Sequence, residues 1–457
     1  MIYASFLTIL KPDYIEERDG NFLLIWRDLP YWMVIDNEAY QLISLANGSL
    51  SLKEIIHTII SNEDDYENKL KESLVLIESF KNLGLTEPKK STPNSSKITP
   101  LFENITLNIT RKCNIRCQHC YITDYKSNDI LNIEDFINFV IEAEEIQLLA
   151  PNLNFTILGG EPLLEKEKTL DIAKFGKERG FDVILSTNGI LIDDDFAKKA
   201  GKNNLVVQVS LEGSSSEIND HIRGEGNFIK TQKGLMELLK HDIYTILSMV
   251  VHHYNFDNIE SFYQFGRSLG VNEILFIPLK IMGRAIKNIT PVPKRKILHA
   301  LYELSKKYKD AKDFLKRDYL TIMKTTCAHS NKTIYCGTGL KTILIDADGT
   351  VYPCPNHCLP EFSCGNIHSN SCIEILNSPI LQILRQKYNV NTINEECSTC
   401  VVKHWCAGGC RGEAYANTKS MTSKAIGCED IYNSIIDTFW ILAQEDYTKY
   451  PKKREYF

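Results

Sequence analysis

A chain of 457 residues is too long for one ordinary core and points to two to four domains. Its 43% hydrophobic and 24% charged content is that of a folded globular protein, and a formal charge of −6 argues against a nucleic-acid or anionic-membrane partner. No apolar run approaches the length of a membrane-spanning helix, and the start MIYASFLTILKPDYIEERDG lacks the pattern of a secretory signal, so a cytoplasmic setting is expected.

Residues 1–88 read as a first unit. SFLTILKP, NFLLIWRD and YWMVID are short apolar and aromatic runs broken by Arg18-Asp19-Gly20 and Leu29-Pro30, the pattern of strands and turns. Helical periods follow at about 38–46, 51–60 and 64–83, with Ser51 a possible cap and Gly84 a stop. Three strands and then three helices predict a small winged-helix-like module. It carries 15 acidic and 7 basic residues, the wrong balance for gripping DNA. Residues 89–101 are rich in Pro, Ser, Thr and Lys and read as a linker.

From 102 to 315, strands alternate with helices. ITLNIT, LNFTIL, FDVILS, LVVQVS, IYTILSMVV and VNEILFIPL are the strands of about six β/α units. Such alternation predicts a parallel sheet with its chemistry at the carboxyl ends of the strands, and six units make an incomplete barrel. From 316 to 440 cysteines dominate and regular periods weaken; residues 441–457 read as a basic, aromatic tail.

The cysteines carry the strongest signal. There are 14, which in a reducing compartment point to metal binding rather than a disulfide scaffold. Cys113, Cys117 and Cys120 lie within eight residues, in RKCNIRCQHCY directly after the first barrel strand. Three thiolates can hold three corners of an iron–sulfur cube, which usually takes four. A zinc site would want a fourth ligand close by, and His119 is poorly placed beside Cys120.

This stretch resembles the cluster loop of the radical S-adenosylmethionine (SAM) enzymes, with His119 in the aromatic position. The resemblance implies that Cys113, Cys117 and Cys120 hold a 4Fe–4S cluster whose open iron takes SAM. One electron would then yield methionine and a 5′-deoxyadenosyl radical. Further motifs follow at successive strand ends. Gly159, Gly160, Glu161 and Pro162 look like the motif for the SAM amino group. Ser186 and Asn188 lie in STNG, and Ser210 in VSLEG looks like a ribose or carboxylate contact. Arg223 is similar to the arginine that pairs the SAM carboxylate, and His119 and Tyr121 flank the site. No general acid or base stands out; His252, His253 and Tyr254 are candidates.

The C-terminal cysteines are similar to the seven-cysteine SPASM extension, which holds auxiliary 4Fe–4S clusters. The resemblance implies Cys397, Cys400, Cys406 and Cys428 for the second auxiliary cluster and Cys336, Cys354 and Cys410 for the first. Position 342, where a further cysteine is often found, is Thr; the first cluster therefore takes Cys358 or Cys364 or keeps an iron open. Cys327 and Cys372 read as structural thiols.

The N-terminal unit resembles a recognition element for ribosomally made, modified peptides, of the pyrroloquinoline-quinone-synthesis (PqqD-like) type. The resemblance implies that a leader peptide adds as a strand to Tyr31–Asp36 against the last helix. The expected architecture is thus α/β: a partial (β/α)6 TIM-type radical SAM barrel between a winged-helix-like domain and a SPASM domain. The implied activity is maturation of a precursor peptide, most like the thioether-forming sactipeptide and ranthipeptide enzymes, with three 4Fe–4S clusters and SAM. Flavodoxin or ferredoxin would be the electron donor. Rival readings are C–C or C–O crosslinking, epimerisation, formylglycine formation on a sulfatase, and a non-catalytic metal-binding peptide carrier.

Overall fold

The computed structural model describes residues 6–60, 65–86, 101–122, 129–328 and 333–445. The expected linker lies almost wholly outside them, and the expected tail lies outside from 446 on; its first residues instead finish the last helix, with Ile441 and Leu442 buried in the core. Among the described residues no helix is long and apolar enough to cross a membrane.

The N-terminal unit holds five strands rather than three: β1 (Phe6–Thr8), β2 (Tyr14–Arg18), β3 (Asn21–Trp26), β4 (Tyr31–Asp36) and β5 (Asn47–Ser51). Helices α1 (Asn37–Leu45), α2 (Leu52–Ile59) and α3 (Tyr66–Asn82) fall where their periods predict. Ser51 caps α2 in a reciprocal box with Glu54. The polar strand β2 has no apolar run to betray it; it pairs with β3, giving an antiparallel order β2-β3-β4. The runs in β3 and β4 are continuous rather than alternating because both faces pack against apolar groups, β3 buried and β4 half-buried. Leu24, Trp26, Met33 and Ile35 face the unit's own helices. Leu23, Ile25, Trp32 and Val34 face the main core, where Trp32 stacks on Phe439 with ring centroids 4.7 Å apart.

The barrel strands are β6 (Phe102–Asn108), β7 (Leu149–Leu158), β8 (Asp182–Thr187), β9 (Val206–Ser210), β10 (Thr245–Val251) and β11 (Glu273–Pro278), parallel and in sequential order. Between them run α4 (Ile133–Glu145), α5 (Lys166–Arg179), α6 (Asp194–Lys202), α7 (Ser216–Arg223), α8 (Asn227–Lys240) and α9 (Ile259–Leu269). Asn132 caps α4, its side chain accepting from Glu134 N, and β7 begins at Leu149, four residues before the LNFTIL run. Short, polar α7 escapes a periodicity search, yet its last residue is Arg223.

The sheet does not stop at β6. A C-terminal strand, β12 (Thr342–Ile345), pairs in parallel with β6 and continues antiparallel into β13 (Thr350–Tyr352) and β14 (Gly365–Asn366). Nine strands form one sheet across barrel and C-terminal domain. The long C-terminal helix Cys428–Ala443 packs against the helices Lys294–Lys307 and Tyr319–Cys327 and against β4, joining all three units.

Candidate functional site

Cys113, Cys117 and Cys120 sit on the irregular loop after β6, at the barrel's carboxyl end, as free thiols. Burial pushes Cys117 up to about 11, and the neighbouring sulfurs of Cys120 and Cys113 add to the rise. Converging thiols that oppose one another's ionisation are a donor set that a metal cluster relieves.

Neighbouring loops hold this loop from several sides. Gly160 N donates to Thr110 O (2.8 Å) and Glu161 N to Lys112 O (2.7 Å). A Cβ on Gly160 would sit 2.0 Å from Lys112 O, and one on Gly159 2.4 Å from Thr110 O. These glycines therefore let the second strand's turn approach the cysteine loop. From the loop after β11, Arg284 N donates to Cys120 O and Arg284 Nε to Cys117 O, both at 2.9 Å. Gly283, at φ +56°, has no room for a side chain against the backbone of Cys120 and Tyr121. From α7, Gln118 N donates to Ile222 O at 2.9 Å.

Glu161 is buried, and its carboxylate accepts from Thr187 Oγ1 (2.7 Å), Asn188 N (2.8 Å) and Leu163 N (3.0 Å). Of the roughly four acceptor positions of a carboxylate, one is left for an ammonium. Thr187 makes the contact to Glu161; Ser186, one residue earlier, faces the other way along β8. Asn188 Nδ2 reaches Asn114 Oδ1 within the cysteine loop at 2.7 Å. Ser210 Oγ ends β9 beside Ser248 Oγ, 3.4 Å away. Pro162 opens the short 3-10 turn that follows Glu161.

Arg223 is 7% exposed and gives Nε (3.1 Å) and Nη2 (2.6 Å) to Glu212 Oε1. Two of its five N–H groups are used there, leaving donors for a second carboxylate. Burial pushes Glu212 up from the ordinary carboxylate range, and Arg223 opposes the rise. His119 Nε2 lies 3.4 Å from the same Glu212 oxygen, and its Nδ1 is buried without a partner. Burial and then the Arg223 charge hold His119 well below its ordinary value. His252, also fully buried, is pushed down to about 4 by burial and then by His253. His253 Nδ1 is engaged by Thr290 O at 3.0 Å, while Tyr254 is half exposed. Tyr121 lies at the loop's exposed end. Three thiols, an orphaned imidazole nitrogen and spare guanidinium donors fit a cluster with an amino-acid-bearing cofactor.

The C-terminal thiols form two groups. Burial pushes Cys406 up to about 12, with Cys400, Cys428 and Cys397 adding in turn. Burial likewise pushes Cys354 up to about 12, with Cys336 and Cys410 adding. Cys358 and Cys364 turn elsewhere: Cys358 Sγ lies 3.4 Å from Asp346 Oδ2 and Cys364 Sγ 3.5 Å from Phe362 O. Thr342 begins β12. Cys327 and Cys372 are buried in the main core. Asp346, at the end of β12, is fully buried and pairs with Arg111 at the mouth of the cysteine loop and with Asn108 Nδ2 (3.0 Å).

Sequence reasoning misses Glu212, Arg284, Gly283, Thr187 and Asp346. A carboxylate two residues after Ser210 and a Gly-Arg pair after the sixth strand are the only local signals for them.

Residues 107–266 match the radical SAM superfamily and residues 336–401 match SPASM, an iron–sulfur cluster-binding domain. The chain is 27% identical over 335 residues to the AdoMet-dependent heme synthase of Methanosarcina barkeri, spanning 69% of this chain and 92% of that protein. It is 27% identical over 328 residues to the antilisterial bacteriocin subtilosin biosynthesis protein AlbA of Bacillus subtilis, 70% of this chain and 69% of AlbA. A serine-type anaerobic sulfatase-maturating enzyme of Bacteroides thetaiotaomicron is 25% identical over 352 residues, 67% of this chain and 81% of that protein. The fold of Streptococcus suis SuiB, solved with its precursor peptide SuiA, covers 92% of this chain and 99% of SuiB with a TM-score of 0.59 at 14% identity. The barrel thus matches the radical SAM superfamily and the C-terminal part a SPASM domain, and the enzyme's cofactors are 4Fe–4S clusters and SAM.

Proposed function

We propose that this enzyme matures a ribosomally made precursor peptide, forming thioether bonds from cysteine sulfur to carbon. The observation that carries the reading is the thiol group Cys336, Cys354 and Cys410, toward which neither Cys358 nor Cys364 turns. A cubane prefers four ligands, so this group has a place for a sulfur the protein does not supply.

Cys113, Cys117 and Cys120 would hold the SAM-binding cluster, and Cys397, Cys400, Cys406 and Cys428 the second auxiliary one. Together with SAM, the first cluster supplies one-electron chemistry strong enough to take hydrogen from an unactivated C–H bond. The remaining acceptor position of Glu161 would receive the SAM ammonium, and the spare donors of Arg223 its carboxylate. Glu212 keeps Arg223 aimed, since its paired oxygen fixes the guanidinium plane. Burial of Glu161 and Glu212 keeps water from competing for their carboxylates.

The leader is placed at the N-terminal unit. The sheet order leaves the outer edge of β4 unpaired by any strand among the described residues, a template for an added strand. A surface hollow on α3 is lined by Leu74, Val75 and Ile77, and Val75 is 70% exposed. The turn before β4 touches the segment that carries Cys397 and Cys400: Arg27 Nη1 donates to Thr399 O and Lys403 pairs with Asp28, both at 3.0 Å.

A second reading, formylglycine formation on a sulfatase, rests on the comparable similarity to the sulfatase-maturating enzyme. Co-expression with a candidate precursor peptide, and separately with a sulfatase, distinguishes the two. Loss of two hydrogens per crosslink, with cysteines blocked from alkylation, supports thioethers. The same loss with free cysteines points to carbon or oxygen linkage, and an unchanged peptide beside a converted sulfatase supports the second reading. Cys113→Ala should abolish SAM cleavage; full deoxyadenosine production by that variant would sink both.

A further inference from the structure

Two side-chain amides or imidazoles reach the sulfurs of the first auxiliary group. His357 Nδ1 lies 3.1 Å from Cys354 Sγ, and Asn356 Nδ2 donates to Cys410 Sγ at 3.4 Å. Both residues lie on the 3-10 turn Pro355–His357 that follows Cys354. This turn is wedged against the helix Arg411–Thr418, because Gly412 leaves room for the Asn356 backbone and nothing larger. His357 is 1% exposed and packs edge-on to Phe362 at 4.9 Å.

The tautomer follows from what the ring meets. His357 Nε2 is buried without a partner. A bare lone pair there costs less than a buried N–H with nothing to receive it. The proton therefore sits on Nδ1 and points at the sulfur. Hydrogen bonds to cluster sulfurs stabilise the reduced state, whose extra electron lies partly on sulfur, and so raise the reduction potential.

We propose that His357, assisted by Asn356, is a positioning residue that raises the reduction potential of the cluster held by Cys336, Cys354 and Cys410. The inference rests on the ligand assignment made above and concerns an attribute beyond it: which way an electron moves most readily through this centre. A raised potential suits a centre that takes up an electron rather than one that drives SAM cleavage.

The test is an anaerobic potentiometric titration of the fully loaded enzyme, followed by electron paramagnetic resonance, with iron and sulfide counted in each sample. In His357→Leu, one auxiliary signal should move to lower potential with iron unchanged. His357→Asn, whose Nδ2 takes the place of Nδ1, should return it toward the wild-type value. Asn356→Leu should lower the same signal. An unchanged midpoint in loaded His357→Leu overturns the proposal. So does a loss of one cluster's iron from both His357→Leu and His357→Asn, which would make the ring a ligand or a structural prop. If only His357→Leu fails to load, Asn356→Leu carries the test, and an unchanged midpoint there is equally fatal. Full iron in Cys354→Ala would instead refute the ligand assignment, which keeps the two failures apart.

Discussion

Gly160→Ala tests the claim that the glycine turn serves the cysteine loop as well as the ligand. The residue's φ is not in the left-handed region, so the cost of a methyl group is purely steric. Its Cβ would lie 2.0 Å from Lys112 O and 2.4 Å from Arg111 O, against an ordinary contact of about 3.5 Å. Both obstacles are backbone, so no side chain can swing away. Relief needs a displacement of roughly 1 Å in the segment that carries Cys113. It also breaks the bonds from Gly160 N to Thr110 O and from Glu161 N to Lys112 O. At about 1 kcal/mol for each bond and about 1–3 kcal/mol for overpacking, the loop loses about 3–5 kcal/mol. Anaerobically reconstituted Gly160→Ala should hold about four fewer iron atoms, one cubane's worth, and should not cleave SAM. Gly180→Ala is the control: its φ is +73° but its Cβ meets nothing within 4 Å. It should lose about 1–2 kcal/mol of stability to backbone strain and no iron. Full iron and normal SAM cleavage in Gly160→Ala would refute the reasoning.

Other expectations follow from single contacts. Arg284→Met removes the charged donor to Cys117 O, worth about 1.5–3 kcal/mol, and should speed iron release to a chelator; an unchanged rate would show the brace to be idle. Trp32→Ala removes the stack on Phe439 and the bond to Cys327 O at a cost of about 3–5 kcal/mol. The N-terminal unit should then melt in a separate, earlier calorimetric transition with iron content unaltered, and a single transition at the wild-type temperature contradicts this. Burial raises the carboxyl of Asp318 to about 6, against about 3.9 in the unfolded chain. A raised folded value gives a contribution fully present below pH ~4 and lost as pH rises through about 6. Asp318→Asn keeps an oxygen for Thr321 N but sets an amide nitrogen against Leu320 N, so the apoprotein should lose this slope and gain less than about 3 kcal/mol at pH 7. Parallel stability–pH curves for variant and wild type would exclude it.

What the sequence discloses depends on how local the cause is. Thiol spacing is a local constraint, since Cys113 to Cys120 must converge within one loop, and it reads directly. So do the six strands, whose apolar runs are long because both barrel faces are buried. Strand β2 does not read, because YIEER gains its place only by pairing with β3. Glu212 looks like any loop carboxylate until α7 folds back and brings Arg223 to it. Arg284 and Cys117 are 167 residues apart, and no period or motif links them. The double burial of β3 and β4 was present as continuous apolar runs, but only the helix Cys428–Ala443 explains it.

The pairing of β12 with β6 has a consequence for how the molecule comes into being. Asn108 and Asp346 are 238 residues apart in the chain and hydrogen-bonded in the fold. During synthesis the first barrel strand emerges long before its outer neighbour, leaving a row of unpaired amides beside the cysteine loop. Such an edge is a ready template for wrong partners, and contacts of this sequence separation form late. The C-terminal domain thus acts as the last stave as well as a holder of iron–sulfur clusters. Chains truncated before residue 342 should expose that edge and aggregate rather than yield a smaller working barrel.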